Sequence, residues 1–511
     1  MNALDHESCY AILCAHDARF DGRIFVGVSS TGIYCRPVCR AKTPRAENCS
    51  FFASAAEAEA KGFRPCLKCR PELAPGEAPV DASARMAQRA ALIIEEDERA
   101  ASSIAYLARL LQVSERQLRR NFEETYNVAP VQYLQTRKLL LAKSLLTDTR
   151  LSIADVAFTA GFKSVRRFNE LFKQRYRLAP RDFRKGSAGT GERGAPQPVA
   201  LLRGTDPAQS ITVLLCYRPP YQWQTILEFL ATRLIDGVES VAEGSYRRTV
   251  RMIGAENTVL SGWVQVAPVP TKNALAVTVS TSLLPVLARV LARVRFLFDL
   301  NANPAAIDRC LEVMNAHKPG SYVAGTRVPG CFDPFEMTVR AILGQQVTVK
   351  AAQTLARRLA QTFGEALATP FAELTHLFPS AAAIAELASS PQPIADQLGP
   401  LGITGARARC IGTLAQALQR GDVQLSLAAN PLEQMQKLLA LPGFGPWTVN
   451  YVALRALGWP DAFPHTDYGI KKALEPLTEQ QILALSEAWK PWRSYATINL
   501  WNSLKPASPR T

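Results

Sequence analysis

The chain has 511 residues, 48% of them hydrophobic, and carries a formal net charge of +15. That length suits three or four domains, the apolar content excludes a disordered protein, and the charge favours a polyanion or an anionic membrane surface as partner. No apolar run is long enough for a membrane span, and Met1-Asn2-Ala3-Leu4-Asp5-His6-Glu7 has neither the basic nor the apolar region of a signal peptide, so a soluble cytoplasmic protein with no membrane partner is expected.

Near the start of the chain, Cys35 and Cys39 read C-x3-C, and Cys66 and Cys69 read C-x2-C. Two such turns can close a tetrahedron of thiolates around one Zn²⁺, and Arg36, Arg40, Lys68 and Arg70, set against the cysteines, favour the thiolate form. On spacing alone the site is a structural zinc knuckle. The stretches Gly32-Ile33-Tyr34-Cys35-Arg36-Pro37-Val38-Cys39-Arg40 and Gly62-Phe63-Arg64-Pro65-Cys66-Leu67-Lys68-Cys69-Arg70 resemble the metal-binding domain of Ada-type alkylation-response proteins, over most of residues 5–75. The resemblance implies chemistry as well: Cys35 takes a methyl group from a methylated DNA phosphate, once per protein, because the thioether is not hydrolysed. Zinc with four thiolates holds an excess of two negative charges, and methylation removes one, which weakens repulsion from DNA and can switch on DNA affinity. Other cysteines, such as Cys9, Cys216, Cys310 and Cys410, show no pairing pattern and read as reduced, mostly buried residues.

Pro/Gly/Ala-rich stretches at Pro71 to Pro79 and Lys185 to Pro198 predict linkers. They divide the chain into 1–75, 83–185 and a C-terminal half, itself read as a mixed β and helical part over 200–300 and a helical part over 301–505. Within 83–185, Phe122-Glu123-Glu124-Thr125-Tyr126-Asn127-Val128-Ala129-Pro130 returns fifty residues later as Phe172-Lys173-Gln174-Arg175-Tyr176-Arg177-Leu178-Ala179-Pro180. Each copy closes a helix–turn–helix pattern. In the first, Ile104, Leu107, Ala108 and Leu111 line one helix, and the next starts at Ser114 with Gln117 as capping-box partner. In the second, Ile153, Val156 and Ala157 play the same part, Gly161 ends the helix and Ser164 caps the next. The second helix of each unit would present Arg116, Gln117, Arg119 and Arg120, and Arg166, Arg167 and Asn169, to a major groove, with one amphipathic helix over 131–147 between them. The segment resembles the AraC-type double helix–turn–helix domain.

In the C-terminal half, Leu441-Pro442-Gly443-Phe444-Gly445-Pro446-Trp447 sets Gly443 and Gly445 in a hairpin whose amides can reach a phosphate, with Pro446 at a first helical position. Trp447 and Tyr451 share one helix face, and Pro464-His465-Thr466-Asp467-Tyr468 follows. Together with Arg340-Ala341-Ile342-Leu343-Gly344-Gln345-Gln346-Val347 and Trp489-Lys490-Pro491-Trp492-Arg493-Ser494-Tyr495, this region resembles the helix–hairpin–helix glycosylases of the 3-methyladenine glycosylase II type, from about 220 to 505. The resemblance implies that Asp467 is the catalytic carboxylate and that Trp447, Tyr451 and Trp501 form the pocket for a flipped cationic base. Whether Asp467 also orients water stays open. Thr448 and Val449 stand where bifunctional relatives carry a Schiff-base lysine, which implies no lyase step. No cysteine follows Cys410, which excludes an iron–sulfur cluster. Gln346 aligns with a DNA-inserting leucine of some members, so how the vacated stack is filled stays open.

The fold class expected is multidomain: a small α+β zinc domain, an all-α double helix–turn–helix domain, then an α+β subdomain and an all-α helix–hairpin–helix glycosylase. The function expected is a fused alkylation-response protein, with a methyl-accepting zinc site, a DNA-binding activator and a monofunctional glycosylase. Its partners would be double-stranded DNA, both operator and alkylated, and RNA polymerase, and the chain would be a monomer associated with the nucleoid. Two other readings are a regulator whose glycosylase half is a non-catalytic scaffold, and a glycosylase tethered to DNA by a structural zinc domain.

Overall fold

Parallel pairing of two very short strands brings the four paired-motif cysteines together. The structure, a computed structural model, describes residues 5–16, 20–21, 24–52, 55–69, 71, 82–96, 103–187, 209–254 and 257–504. They form two units, the first ending at Tyr133 and the second starting at Leu134. Of the expected linkers, the part after Pro71 and the part after Ser187 lie outside the described residues. Lys185, Gly186 and Ser187 are the end of a helix instead of the start of a linker.

In the first unit, strands β1 (Phe25–Val28), β2 (Ile33–Cys35), β3 (Cys49–Phe52) and β4 (Arg64–Pro65) form a sheet in the order β3-β1-β2-β4. Helix α1 (His6–Cys14) is capped by Asp5, and α2 (Ala55–Ala60) follows β3. The pair β2–β4 is parallel, with Tyr34 opposite Pro65, and the Cys66 N–H donates to the Tyr34 carbonyl at 3.0 Å. Cys35 and Cys66 therefore leave the sheet side by side. After α3 (Ala82–Glu96), the first helix–turn–helix is α4 (Ile104–Leu110) and α5 (Glu115–Tyr126). Ser114 caps α5 through the Gln117 N–H at 3.2 Å, but only this half of the expected capping box forms, and the Gln117 side chain stays exposed.

Helix α6 (Pro130–Asp148) is the single helix expected over 131–147. In the second unit α7 (Ile153–Thr159), α8 (Val165–Tyr176) and α9 (Pro180–Ser187) complete the other helix–turn–helix, with Ser152 and Ser164 as caps and Gly161 at φ 82° after α7. The sequence repeat is a repeat of packing. Phe122, Tyr126 and Tyr133 form one three-ring cluster with centroids 4.7–5.4 Å apart, and Phe172, Tyr176 and Phe183, each fifty residues on, form the other at 4.5–6.0 Å. Both second helices end on a left-handed residue, Asn127 and Arg177.

A five-stranded antiparallel sheet follows, with β5 (Ser210–Cys216), β6 (Glu239–Ala242), β7 (Ser245–Ile253), β8 (Val259–Val269) and β9 (Ala274–Ser280) in the order β5-β9-β8-β7-β6. The helices α10 (Trp223–Ala231) and α11 (Leu287–Leu297) contribute Phe229, Leu230, Val290 and Val294 to its core. Beyond 300 the chain is nearly all helical. The helices that carry the site are α12 (Pro334–Leu343), α13 (Val349–Phe363), α14 (Gly405–Arg420), α15 (Pro431–Leu439), α16 (Pro446–Arg455), α17 (Tyr468–Ala473) and α18 (Arg493–Ser503).

The sheet is fastened to α12 by a buried square of four charges. Arg248 of β7 contacts Glu336 at 2.6 Å and Glu239 at 3.6 Å, while Arg340 contacts Glu239 at 2.9 Å and Glu336 at 3.1 Å. Glu239 also accepts from the Tyr246 hydroxyl and the Ile235 N–H. Removing one member strands the others without solvent, which costs about 3–5 kcal/mol. Glu336→Ala should therefore lower the stability of the second unit by roughly that amount. All seven tryptophans lie after residue 134, so denaturant titration followed by tryptophan emission reads this unit alone.

Candidate functional sites

The Sγ atoms of Cys35, Cys39, Cys66 and Cys69 lie within 4.8 Å of one another. Four sulfurs about 2.3 Å from a tetrahedral zinc are about 3.8 Å apart, so the set fits one zinc ion. Their mutual proximity opposes shared ionisation: the hydrogen bond with Cys39 drives the Cys35 thiol far up, while the same bond holds Cys39 down. Four thiolates here require a cation. Cys39, Cys66 and Cys69 are buried, Cys35 is half-buried as a whole residue, and all four sulfurs are enclosed. The Arg36 N–H donates to the Cys69 sulfur at 3.4 Å.

The cations expected against the thiolates are placed otherwise. The Arg36 guanidinium is 1% exposed and pairs with Asp21, to which its Nε donates at 2.7 Å, because a buried guanidinium needs a carboxylate more than a sulfur already held in a cluster. Arg40 reaches Glu124 of α5 at 3.4 Å, Lys68 faces solvent, and Arg70 lies outside the described residues. The remaining cysteines also divide: Cys9 and Cys410 are buried, Cys310 is half-buried and Cys216 is exposed.

Arg116, Gln117, Arg119 and Arg120 are exposed on α5, and Arg166, Arg167 and Asn169 are exposed on α8. Arg119 pairs with Glu115, Arg120 with Glu124, and Arg166 with Glu170, all at i,i+4 spacing. Such exposed pairs are worth a few tenths of a kcal/mol, so phosphates can displace them.

Asp467 is held from four directions. Its Oδ1 accepts the Gly469 N–H at 2.8 Å, the Ile470 N–H at 3.2 Å and the Trp501 Nε1–H at 2.8 Å, and its Oδ2 accepts the Trp447 Nε1–H at 2.8 Å. It is the N-cap of α17, and the same carboxylate is tied to two indoles. Gly469 makes this approach possible, since a Cβ there would lie 2.9 Å from the Trp501 ring. Trp447 stacks on Tyr451 at 5.3 Å, and Tyr451 meets Trp501 at 6.1 Å. The expected site residues thus converge, with Asp467 half-buried beside three rings. Arg493 fixes the loop before it by donating from Nε to Asp461 at 2.8 Å and from Nη2 at 2.6 Å.

The hairpin forms as expected. Gly443 has φ 89° and packs so tightly on Cys410 that a Cβ would fall 2.9 Å from its sulfur. Gly445 caps α16 with no side chain, and a Cβ there would meet nothing within 4 Å, so the amide end of α16 is open. Gln346 is exposed with φ 55° at the turn between α12 and α13.

Four family models match the chain: the metal binding domain of Ada over residues 8–72, a helix-turn-helix domain over 107–186, the AlkA N-terminal domain over 212–333, and the HhH-GPD superfamily base excision DNA repair protein over 339–481. A Mycobacterium tuberculosis protein described as a probable bifunctional transcriptional activator/DNA repair enzyme AlkA is 34% identical, across 98% of this chain and 97% of its own length. The chain belongs to this fused Ada–AlkA family. DNA-3-methyladenine glycosylase 2 of Escherichia coli is 38% identical over 56% of the chain and 95% of its own length. A solved structure of the methylated N-Ada/DNA complex is 32% identical over 26% of the chain and 97% of its own, with a TM-score of 0.20.

Within this Ada–AlkA chain, several residues at the aromatic site had no signal in the sequence. Phe229 of α10 stacks on Trp501 at 6.2 Å, Arg233 lies over Phe229 at 3.9 Å, and the buried Arg455 donates to the Tyr451 hydroxyl at 3.0 Å. Burial acts to raise the Tyr451 phenol, but Arg455, Arg233 and Arg340 outweigh it and hold the phenol below its ordinary value. Of the rings expected to receive a cationic base, Tyr451 thus already shares its face and hydroxyl with a resident guanidinium.

The zinc site gives a direct test. The protein should carry one zinc per chain, and Cys39→Ser together with Cys66→Ser should abolish it, as read by metal analysis. Removing the metal should unfold the cysteine domain, seen as proteolysis within the first seventy residues, while tryptophan emission of the second unit stays unchanged.

Proposed function

We propose that the chain senses and repairs DNA alkylation with three connected parts: a self-methylating thiolate site, a DNA-binding activator, and a glycosylase that releases alkylated bases such as 3-methyladenine. The observation that carries this reading is the Asp467 carboxylate, fixed by two indoles and two backbone amides at the edge of a three-ring site. A cap alone needs only the backbone bonds. The indole bonds orient the charge toward the rings that would hold a displaced base.

In this reading the base leaves with the electron pair of its bond to the sugar, and Asp467 stabilises the positive charge left on the sugar ring before water adds. Trp447, Tyr451 and Trp501 hold the base, and the amides of Gly443 to Gly445 hold a phosphate of the strand. With Thr448 and Val449 in place of an amine, the product is an intact abasic site, and borohydride traps no adduct. At the other site, bound zinc keeps the four cysteines deprotonated. The Cys35 sulfur then bonds to the methyl carbon of a methylphosphotriester as the C–O bond breaks, and the electron pair stays on the phosphodiester oxygen. The helix–turn–helix pair reads a duplex operator through Arg116, Gln117, Arg119, Arg120, Arg166, Arg167 and Asn169, and the cluster, one negative charge fewer after methylation, binds DNA more tightly. RNA polymerase is the partner of such an activator, and a monomer in the cytoplasm, on the nucleoid, completes the proposal.

Incubation with methylated duplex DNA, followed by intact-mass and peptide analysis, should find one methyl per chain on Cys35 and an operator affinity that rises with it, most at low salt. A methyl elsewhere, or equal affinity before and after, contradicts this part of the reading.

Asp467→Asn should lower 3-methyladenine release by about 10³-fold, the equivalent of ~4 kcal/mol of lost charge stabilisation, with DNA affinity equal or slightly higher. Asparagine still caps α17 through its carbonyl but turns its NH₂ toward the Trp447 N–H, so a stability cost of about 1–3 kcal/mol is expected beside the kinetic loss. Base release by chromatography and denaturation by tryptophan emission separate the two.

A further inference from the structure

The turn from α12 to α13 holds an exposed glutamine in a conformation it does not favour, and the reason lies in its neighbour. Gln346 sits at φ 55°, and a non-glycine residue persists there only when its surroundings determine the backbone. Three contacts do so. The Arg407 guanidinium of α14 donates to the Gln345 carbonyl, Thr348 caps α13, and the Gln345 carboxamide Nε2 donates both to the Gly443 carbonyl at 2.9 Å and to Thr448 Oγ1 at 3.0 Å. With these two bonds both hydrogens of the amide are used.

Those acceptors are not arbitrary. Gly443 belongs to the hairpin with the open amide end, and the buried Thr448 follows Trp447, whose indole holds Asp467. One side chain thus ties the tip at Gln346 to the hairpin and to the start of α16. Resting on the glycosylase reading above, we propose that Gln345 is a positioning residue that makes insertion of Gln346 and grip on the strand by the hairpin a single event. Its contribution then falls on displacement of a stacked, paired base and not on the bond cleavage that follows.

The test compares single-turnover release of 3-methyladenine from two duplexes, one with the lesion opposite thymine and one with it opposite an abasic site, where less must be displaced. Gln345→Met, which keeps the length and removes both donors, should be about 10- to 30-fold slower on the paired lesion and within about 3-fold of wild type on the other, a gap that reflects the few kcal/mol needed to unstack and unpair a base. Thr448→Val, which removes one of the two acceptors, should lie between, and Thr448→Ser should restore the wild-type rate. In a Gln346→Ala background, Gln345→Met should add less than about 2-fold, since residues acting as one unit are not additive. Equal slowing on both duplexes, multiplied losses in the double variant, or no slowing at all would overturn the proposal. If the wild type released no base from either duplex, the glycosylase reading itself would fall.

Discussion

Four buried charges set the frame in which the rest of the second unit is built. Glu239 and Arg248 come from the sheet, Glu336 and Arg340 from one turn of α12, and none can be withdrawn without leaving another unpaired in a medium that does not solvate it. A hydrophobic contact could slide, but a square of charge-assisted hydrogen bonds fixes both position and rotation of the helix. α12 is therefore held along its length by ions and at its far end by the amide of Gln345. Between those anchors, the sheet subdomain delivers Phe229 to the same aromatic site as Trp447, Tyr451 and Trp501.

The first unit solves a related problem with metal-binding chemistry in place of a large core. Its strands have two to four residues, too few to bury much apolar surface, and the parallel β2–β4 pair works chiefly by setting Cys35 beside Cys66. The buried Arg36–Asp21 pair adjoins the cluster through the Arg36 N–H bond to the Cys69 sulfur, and all four sulfurs are enclosed.

What could be read from the sequence was what short-range spacing encodes. The cysteine pairs, the serine caps, the fifty-residue repeat and the i,i+4 pair of Trp447 and Tyr451 all express local geometry, and each forms in the structure. Local reading failed where a distant partner decided the outcome. Arg36 was set against the thiolates because Asp21 was invisible as a competitor, and Gln117 was given a reciprocal cap bond that an exposed side chain need not make. Arg233, Phe229 and Arg455 meet the aromatic site from segments more than two hundred residues apart, and no pattern within either segment marks them. No local pattern shows that the Asp467 carboxylate both caps α17 and holds two indoles.

That double attachment limits what Asp467 has left to offer. An ionised carboxylate presents about four lone-pair directions. Oδ1 already receives three N–H groups and Oδ2 one, so the remaining capacity is on Oδ2, away from Trp447. On the proposed reading, a hydrogen-bonded water would have to use that one direction, while the negative charge would act on the sugar through space whichever oxygen faces it.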